Sequence, residues 1–240
     1  MHATGSIDTA FELAPARHRA IFISDVHLGM RSTRADALLD FLKHHDAEVI
    51  YLVGDIIDFW KVRRGVYWPQ AHNDVLQKLL RKVRKGARII FVPGNHDEGL
   101  RDYCGMQFGG IEVRRDALHE TADRKRYIVL HGDEFDVVIR TAKWLAFLGD
   151  RGYELILWLN NPLNWVRRHL GLGYWSFSAQ LKYSVKQAVN FIGAFEVAVA
   201  SEARRRQADG VICGHIHHPC DRMIDGVRYL NCGDWVESCT

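Results

Sequence analysis

Five short polar blocks hold most of the chemistry available to this chain: Asp25-Val26-His27, Gly54-Asp55-Ile56-Ile57-Asp58, Gly94-Asn95-His96-Asp97, His131-Gly132-Asp133 and Gly214-His215-Ile216-His217. Their side chains are carboxylates, imidazoles and an amide, without a thiolate. Nitrogen and oxygen donors of this kind suit Mn²⁺, Fe or Zn²⁺ in a reactive centre better than a structural zinc or a copper site. Asp25/His27 and His215/His217 are spaced i, i+2, and an extended segment would aim both members of each pair to one side. Gly54, Gly94, Gly132 and Gly214 permit tight turns and close backbone approach. One such block alone is ordinary turn chemistry. Five in one chain point to a shared metal centre.

Each block follows an apolar run rich in β-branched or aromatic residues: Ala20–Ile23, Val49–Val53, Arg88–Val92, Tyr127–Leu130 and Gly210–Cys213. Runs this short read as buried strands, and Gly226–Leu230 reads as another. Between them, Ala35–His45 carries Leu38, Leu39 and Leu42 at helical spacing, with Thr33 and Asp36 as a capping box. Asn73–Lys85 carries Val75, Leu76, Leu79, Leu80 and Val83, and Gly86 stops it. Strand–helix–strand alternation predicts an α/β sandwich with a largely buried mixed sheet. In such folds ligands gather beyond the carboxyl ends of the strands, which is where all five blocks fall.

Composition bounds the rest. A chain of 240 residues, 48% hydrophobic and 25% charged with a net charge of +3, is an ordinary globular protein, too near neutrality for a nucleic-acid coat. Charge is uneven, however. Residues 137–195 hold seven basic and two acidic side chains and four of the seven tryptophans, Trp144, Trp158, Trp165 and Trp175. The stretch 137–207 is therefore expected to be a helical cap inserted into the domain, and residues 1–18 a loosely held tail. Five cysteines are expected as free thiols in a reducing compartment. The start of the chain lacks the layout of a secretory leader, so a cytoplasmic location is expected. Trp60, Tyr67 and Trp68 follow the second block in a loop, where they either line a cleft or, as expected here, serve local packing.

The ordered pattern of the five blocks, spanning about residues 20–217, resembles the calcineurin-like metallophosphoesterase superfamily. The resemblance implies a four-layered α/β/β/α sandwich and a binuclear centre. Asp25, His27 and His217 would then hold one divalent ion, Asn95, His131 and His215 the other, and Asp55 would bridge them. It further implies that His96 faces the substrate as a transition-state stabiliser or acid, oriented by Asp58. Two ions facing only two carboxylates, Asp25 and Asp55, would leave surplus positive charge to draw in a phosphate.

The opening Ser24-Asp25-Val26-His27-Leu28-Gly29, the insertion before Gly-His-x-His and the ending Asn231-Cys232-Gly233-Asp234-Trp235 carry a narrower likeness. They resemble the UDP-2,3-diacylglucosamine pyrophosphatases of lipid A biosynthesis. That likeness implies Mn²⁺, a nucleotide-linked glycolipid split to lipid X and UMP, and peripheral contact with the cytoplasmic face of the inner membrane. The best-known form of that family has arginine where this chain has His96, the choice of the broader superfamily. Within the basic, aromatic insertion, Arg167, Arg168, Lys182 and Lys186 are expected head-group contacts by position alone. Nucleic acid is not expected as a partner, because outside residues 137–195 acidic residues slightly outnumber basic ones. The alternative substrates are another phosphodiester, a nucleotide or a phosphomonoester.

Overall fold

The computed structural model of the chain describes residues 14–136 and 177–240, and side chains throughout these except at 177–190. Alternation along β2 (His45–Val53) shows how the layers assemble. Ile50 and Leu52 join one buried cluster with Leu38, Leu42, Val75 and Leu79, whereas Tyr51 and Val53 join another with Val129 and Ile212. A strand with apolar residues on both faces must be covered on both faces. On one side lie α1 (Ala35–His44) and α3 (Gln70–Arg84), and on the other lies a second sheet.

The first sheet runs β1-β2-β3-β5-β4, with β1 (Ala16–Ile23), β2, β3 (Arg88–Val92) and β5 (Ile111–Val113) parallel and β4 (Gln107–Phe108) antiparallel at the edge. The second runs β6-β7-β8-β10-β9, in the ranges Ala117–Glu120, Arg126–Val129, Gly210–Cys213, Val227–Asn231 and Cys220–Ile224. Its centre, β7, β8 and β10, is parallel, and both edges are antiparallel. Its outer face packs on the helix Phe177–Arg205 (α4), which buries Phe195, Val199, Ala200 and Ala203 against Val211, Val227 and Tyr229. Helix, sheet, sheet and helix make the four layers. Each fully buried aliphatic side chain contributes about 1.5–3 kcal/mol.

Three local features differ from the sequence reading. Thr33 does not cap α1: its hydroxyl donates to the His27 carbonyl at 2.5 Å, so it steadies the first polar loop instead. Helix α3 begins at Gln70 after Pro69, ahead of Asn73, whose Oδ1 accepts from Trp68 Nε1 at 2.8 Å. Strand β1 begins at Ala16, so residues 16–18 of the expected tail pair with His45–Ala47. Of the expected insertion, residues 137–176 lie outside the described residues. The ending Asn231–Trp235 is a clamp between loops. Asn231 Nδ2 donates to the Gly214 carbonyl at 2.8 Å, Ser24 Oγ donates to the Gly233 carbonyl at 3.0 Å, and the Trp235 amide donates to the Asp25 carbonyl at 3.1 Å.

Candidate metal centre

Strands β1, β2 and β3 end at Ile23, Val53 and Val92, and β7 and β8 end at Val129 and Cys213. Within three residues of each end comes a polar block. The chain turns there by a device that the expected extended pairs did not include. Asp25, His27, Asp55, His215 and His217 all have left-handed backbones, with φ of 51°, 54°, 54°, 73° and 51°. For residues with a Cβ this conformation costs on the order of 1–3 kcal/mol each. Hydrogen bonds hold the strain in place: Asp25 N to Gly54 O at 3.1 Å, His27 N to Asp55 O at 2.8 Å, and His215 N to Asp25 Oδ2 at 2.9 Å. The i, i+2 pairs thus converge through left-handed turns, not through extended chain.

Among the described residues, two donor groups consist wholly of the expected ligands. Asp25, His27 and His217 bring ligand atoms within 4.8 Å of one another, and so do Asp55, His131 and His215. In the first group His217 Nε2 lies 3.3 Å from Asp25 Oδ1 and 3.2 Å from His27 Nε2. Asp55 Oδ2 lies between the groups, 3.9 Å from His27 Nε2 and 3.4 Å from His131 Nε2. Asn95 belongs to the same wall. Its Oδ1 is buried without a hydrogen-bond partner, and the amide of the next residue, His96, donates to Asp55 Oδ1 at 2.8 Å.

The donors fit divalent cations. Asp25 Oδ1 and His131 Nε2, like Asn95 Oδ1, are buried with no hydrogen bond, a costly state for polar atoms. Glycine keeps the space clear. A Cβ on Gly94 would overlap Asp55 Oδ1 and come within 2.7 Å of His131 Nε2, and one on Gly214 would overlap Asp25 Oδ2. Burial alone would raise the Asp55 carboxyl, but the His131 imidazole outweighs it and holds Asp55 far below the usual carboxylate range. Burial would likewise lower His131, yet the Asp55 carboxylate, with Asp25 and Asp133, pushes it up to about 10. The cavity therefore favours positive charge strongly. Asp25, His27 and His217 could hold one cation, and Asn95, His131 and His215 a second, with Asp55 shared.

His96 and Asp58 stand beside this centre. Asp58 Oδ2 is 3.0 Å from His96 Nδ1 and 3.4 Å from His27 Nδ1, while Asp58 Oδ1 accepts from Lys61 N at 2.8 Å. Against the effect of burial, these contacts hold the Asp58 carboxyl at about 2. His96 also comes near enough to His27 and Asp55 to form a third donor group, but its Nδ1 is engaged by Asp58. Residues 59–64, expected as loop, form a short helix, α2 (Phe59–Arg64), with no buried residue. On it Trp60 is 43% exposed, with its ring centroid 4.1 Å from that of His96. Local packing in the core is thus not its role.

Two further carboxylates, Asp97 of the third block and Asp136, have roles that the sequence did not assign. Asp136 Oδ1 lies 2.8 Å from His215 Nε2, and only its place five residues after His131 hints at this. Asp97, fully buried, accepts backbone N–H groups from Gly94 (2.6 Å), Ile56 (2.8 Å), Asp55 (3.3 Å) and Ile57 (3.3 Å). Burial, reinforced by the Asp55 charge, pushes its carboxyl up to about 6. Asp97 therefore ties the Asn95 loop to the Asp55 loop. Asp97→Ala strands four amide donors and is expected to cost about 2–4 kcal/mol. Thermal unfolding should register this as a fall in Tm of about 5–10 °C; an unchanged Tm would show that the loops cohere without it.

Of the expected head-group contacts, Lys182 and Lys186 fall on α4, and Arg167 and Arg168 lie outside the described residues.

A protein from Porphyromonas gingivalis named UDP-2,3-diacylglucosamine hydrolase is 28% identical over 245 residues, covering 92% of this chain and 91% of its own. One of the same name from Neisseria meningitidis is 27% identical, covering 90% of this chain and 89% of its own. Among solved structures, a phosphopantetheinyl hydrolase from Mycobacterium tuberculosis aligns at a TM-score of 0.43 and 15% identity, covering 92% of this chain and 91% of that one. Residues 18–219, from within β1 to just beyond His217, match the calcineurin-like phosphoesterase family, and the chain belongs to it.

Proposed function

We propose that this metal-dependent phosphoesterase splits the pyrophosphate of UDP-2,3-diacylglucosamine into UMP and lipid X, with Mn²⁺ as its resident cation, at the cytoplasmic face of the inner membrane. The observation that carries the hydrolytic reading is the pair of donor groups at the strand ends of both sheets, with Asp55 Oδ2 lying between His27 of one and His131 of the other. The substrate is supported by likeness to hydrolases of that name along about nine-tenths of the chain. Among the described residues no helix is long and apolar enough to cross a membrane.

Divalent cations, when bound, supply Lewis acidity that activates water and neutralises charge on phosphoryl oxygens. The chain's own residues do the rest. Asp25, His27 and His217 would hold one cation and Asn95, His131 and His215 the other, with Asp55 between them and Asp136 steadying the His215 ring. His96 keeps Nδ1 on Asp58, which tethers the ring, and as an imidazolium it would donate from Nε2 to the developing phosphate charge or to the leaving oxygen.

The test is Mn²⁺-dependent hydrolysis of UDP-2,3-diacylglucosamine beside UDP-sugars and an aryl phosphodiester. UMP released only from the acylated compound is the expected result. Turnover of the diester or the UDP-sugars, with none of the lipid, would overturn the substrate and favour the other phosphodiester and nucleotide substrates that a histidine at position 96 permits.

A further inference from the structure

Trp60 presents a problem of exposed apolar surface. Large aromatic side chains gain most by burial, so one left nearly half open next to a reactive group calls for a reason beyond stability. Helix α2 supplies none: it has six residues, none buried, and is anchored at its start by the Asp58 carboxylate. That carboxylate engages the helix with Oδ1 and His96 with Oδ2. Helix and imidazole therefore share one anchor, and the helix carries the Trp60 ring to the His96 ring at 4.1 Å with 33° between planes.

Among the described residues, the contacts of His96 are few. Its amide donates to Asp55 Oδ1, its carbonyl accepts from Phe59 N at 3.2 Å, and Nδ1 meets Asp58. His27 meets the ring edge-on, at 4.7 Å and 87°. A ring tethered by one nitrogen can still swing about that tether. Among the described residues, the indole is the surface that lies against its face, tilted by 33°. Nδ1 is buried, so the 22% exposure of the His96 side chain lies on its other atoms.

We infer that Trp60 is a positioning residue, which holds the His96 imidazole in the plane that its work on the phosphoryl group requires. The inference rests on the role of His96 given above but not on the identity of the lipid substrate. Misplacement of a reacting group by about 1 Å can cost on the order of 10²-fold in rate, so the effect belongs in kcat.

The test uses the full chain with Mn²⁺ and an aryl phosphodiester, comparing Trp60→Ala with Trp60→Phe. Trp60→Ala should lower kcat by about 10–100-fold with KM and metal content little changed, and Trp60→Phe should recover most of the loss. Histidine-ring NMR gives a second reading, with the His96 signal assigned by its loss in His96→Ala. Removal of the indole should shift that signal, and phenylalanine should shift it less. A raised KM at unchanged kcat would make Trp60 a substrate platform and overturn the inference. Unchanged kcat together with an unmoved His96 signal would overturn it as well. Failure on the UDP-linked lipid alone, with the diester results as expected, would sink the substrate and leave Trp60 in its role. Were the diester not turned over, the His96 signal alone would decide.

Discussion

Asp55→Asn is expected to abolish most activity and to reduce the bound divalent metal, even though the loop around it remains folded. The substitution is nearly isosteric, and an asparagine Oδ1 can still accept the His96 amide that Asp55 Oδ1 accepts at 2.8 Å. What disappears is the charge that faces His27 and His131 and that pushes His131 up to about 10. A carboxylate shared by two cations contributes to both. Losing several kcal/mol of charge stabilisation corresponds to about 10³-fold or more in kcat, at 1.36 kcal/mol per decade. Metal analysis of the purified variant, with kcat on the same sample, reads both effects. Two tightly held ions and near-normal turnover would show that Asp55 is not shared, and would leave the two donor groups as separate sites.

Much of this arrangement was visible in the sequence because the strands that carry the site are buried. Val49–Val53 and Arg88–Val92 are apolar on both faces, and that alone marks them as interior strands followed by polar turns. Edge strands β4, β6 and β9 carry exposed, polar or very short segments, so no apolar run announces them. The donors could be named from their types and order, but not the backbone that aims them. A left-handed φ at Asp25, His27, Asp55, His215 and His217 leaves no compositional mark, since glycine is the usual sign of it and these residues are not glycine. The same limit hid the roles of Asp97 and Asp136. A carboxylate that gathers amides or meets a histidine from another loop is defined by long-range contact, which spacing does not encode. Helix α2 failed for a related reason: six residues that bury nothing have no apolar period, and only the Asp58 cap starts them.

His96→Ala is expected to cut turnover by about 10²–10⁴-fold while the metal content stays near that of the unaltered chain. His96 is not one of the seven donors assigned to the cations, and its Nδ1 is spent on Asp58 at 3.0 Å. Removing it leaves both cation groups complete. Asp58 keeps its helix-capping bond to Lys61 N at 2.8 Å and its contact with His27 Nδ1 at 3.4 Å, so the orientation of His27 should survive. The loss should fall on kcat, because charge develops on phosphoryl and leaving oxygens in the transition state more than in the bound ground state. Substrates with poor leaving groups should lose more than an aryl phosphodiester, whose leaving oxygen needs little help from a proton. Equal losses for both would instead assign His96 to the phosphoryl oxygens alone. Loss of metal in this variant would be a different result altogether, for it would move His96 among the ligands, into the third donor group with His27 and Asp55.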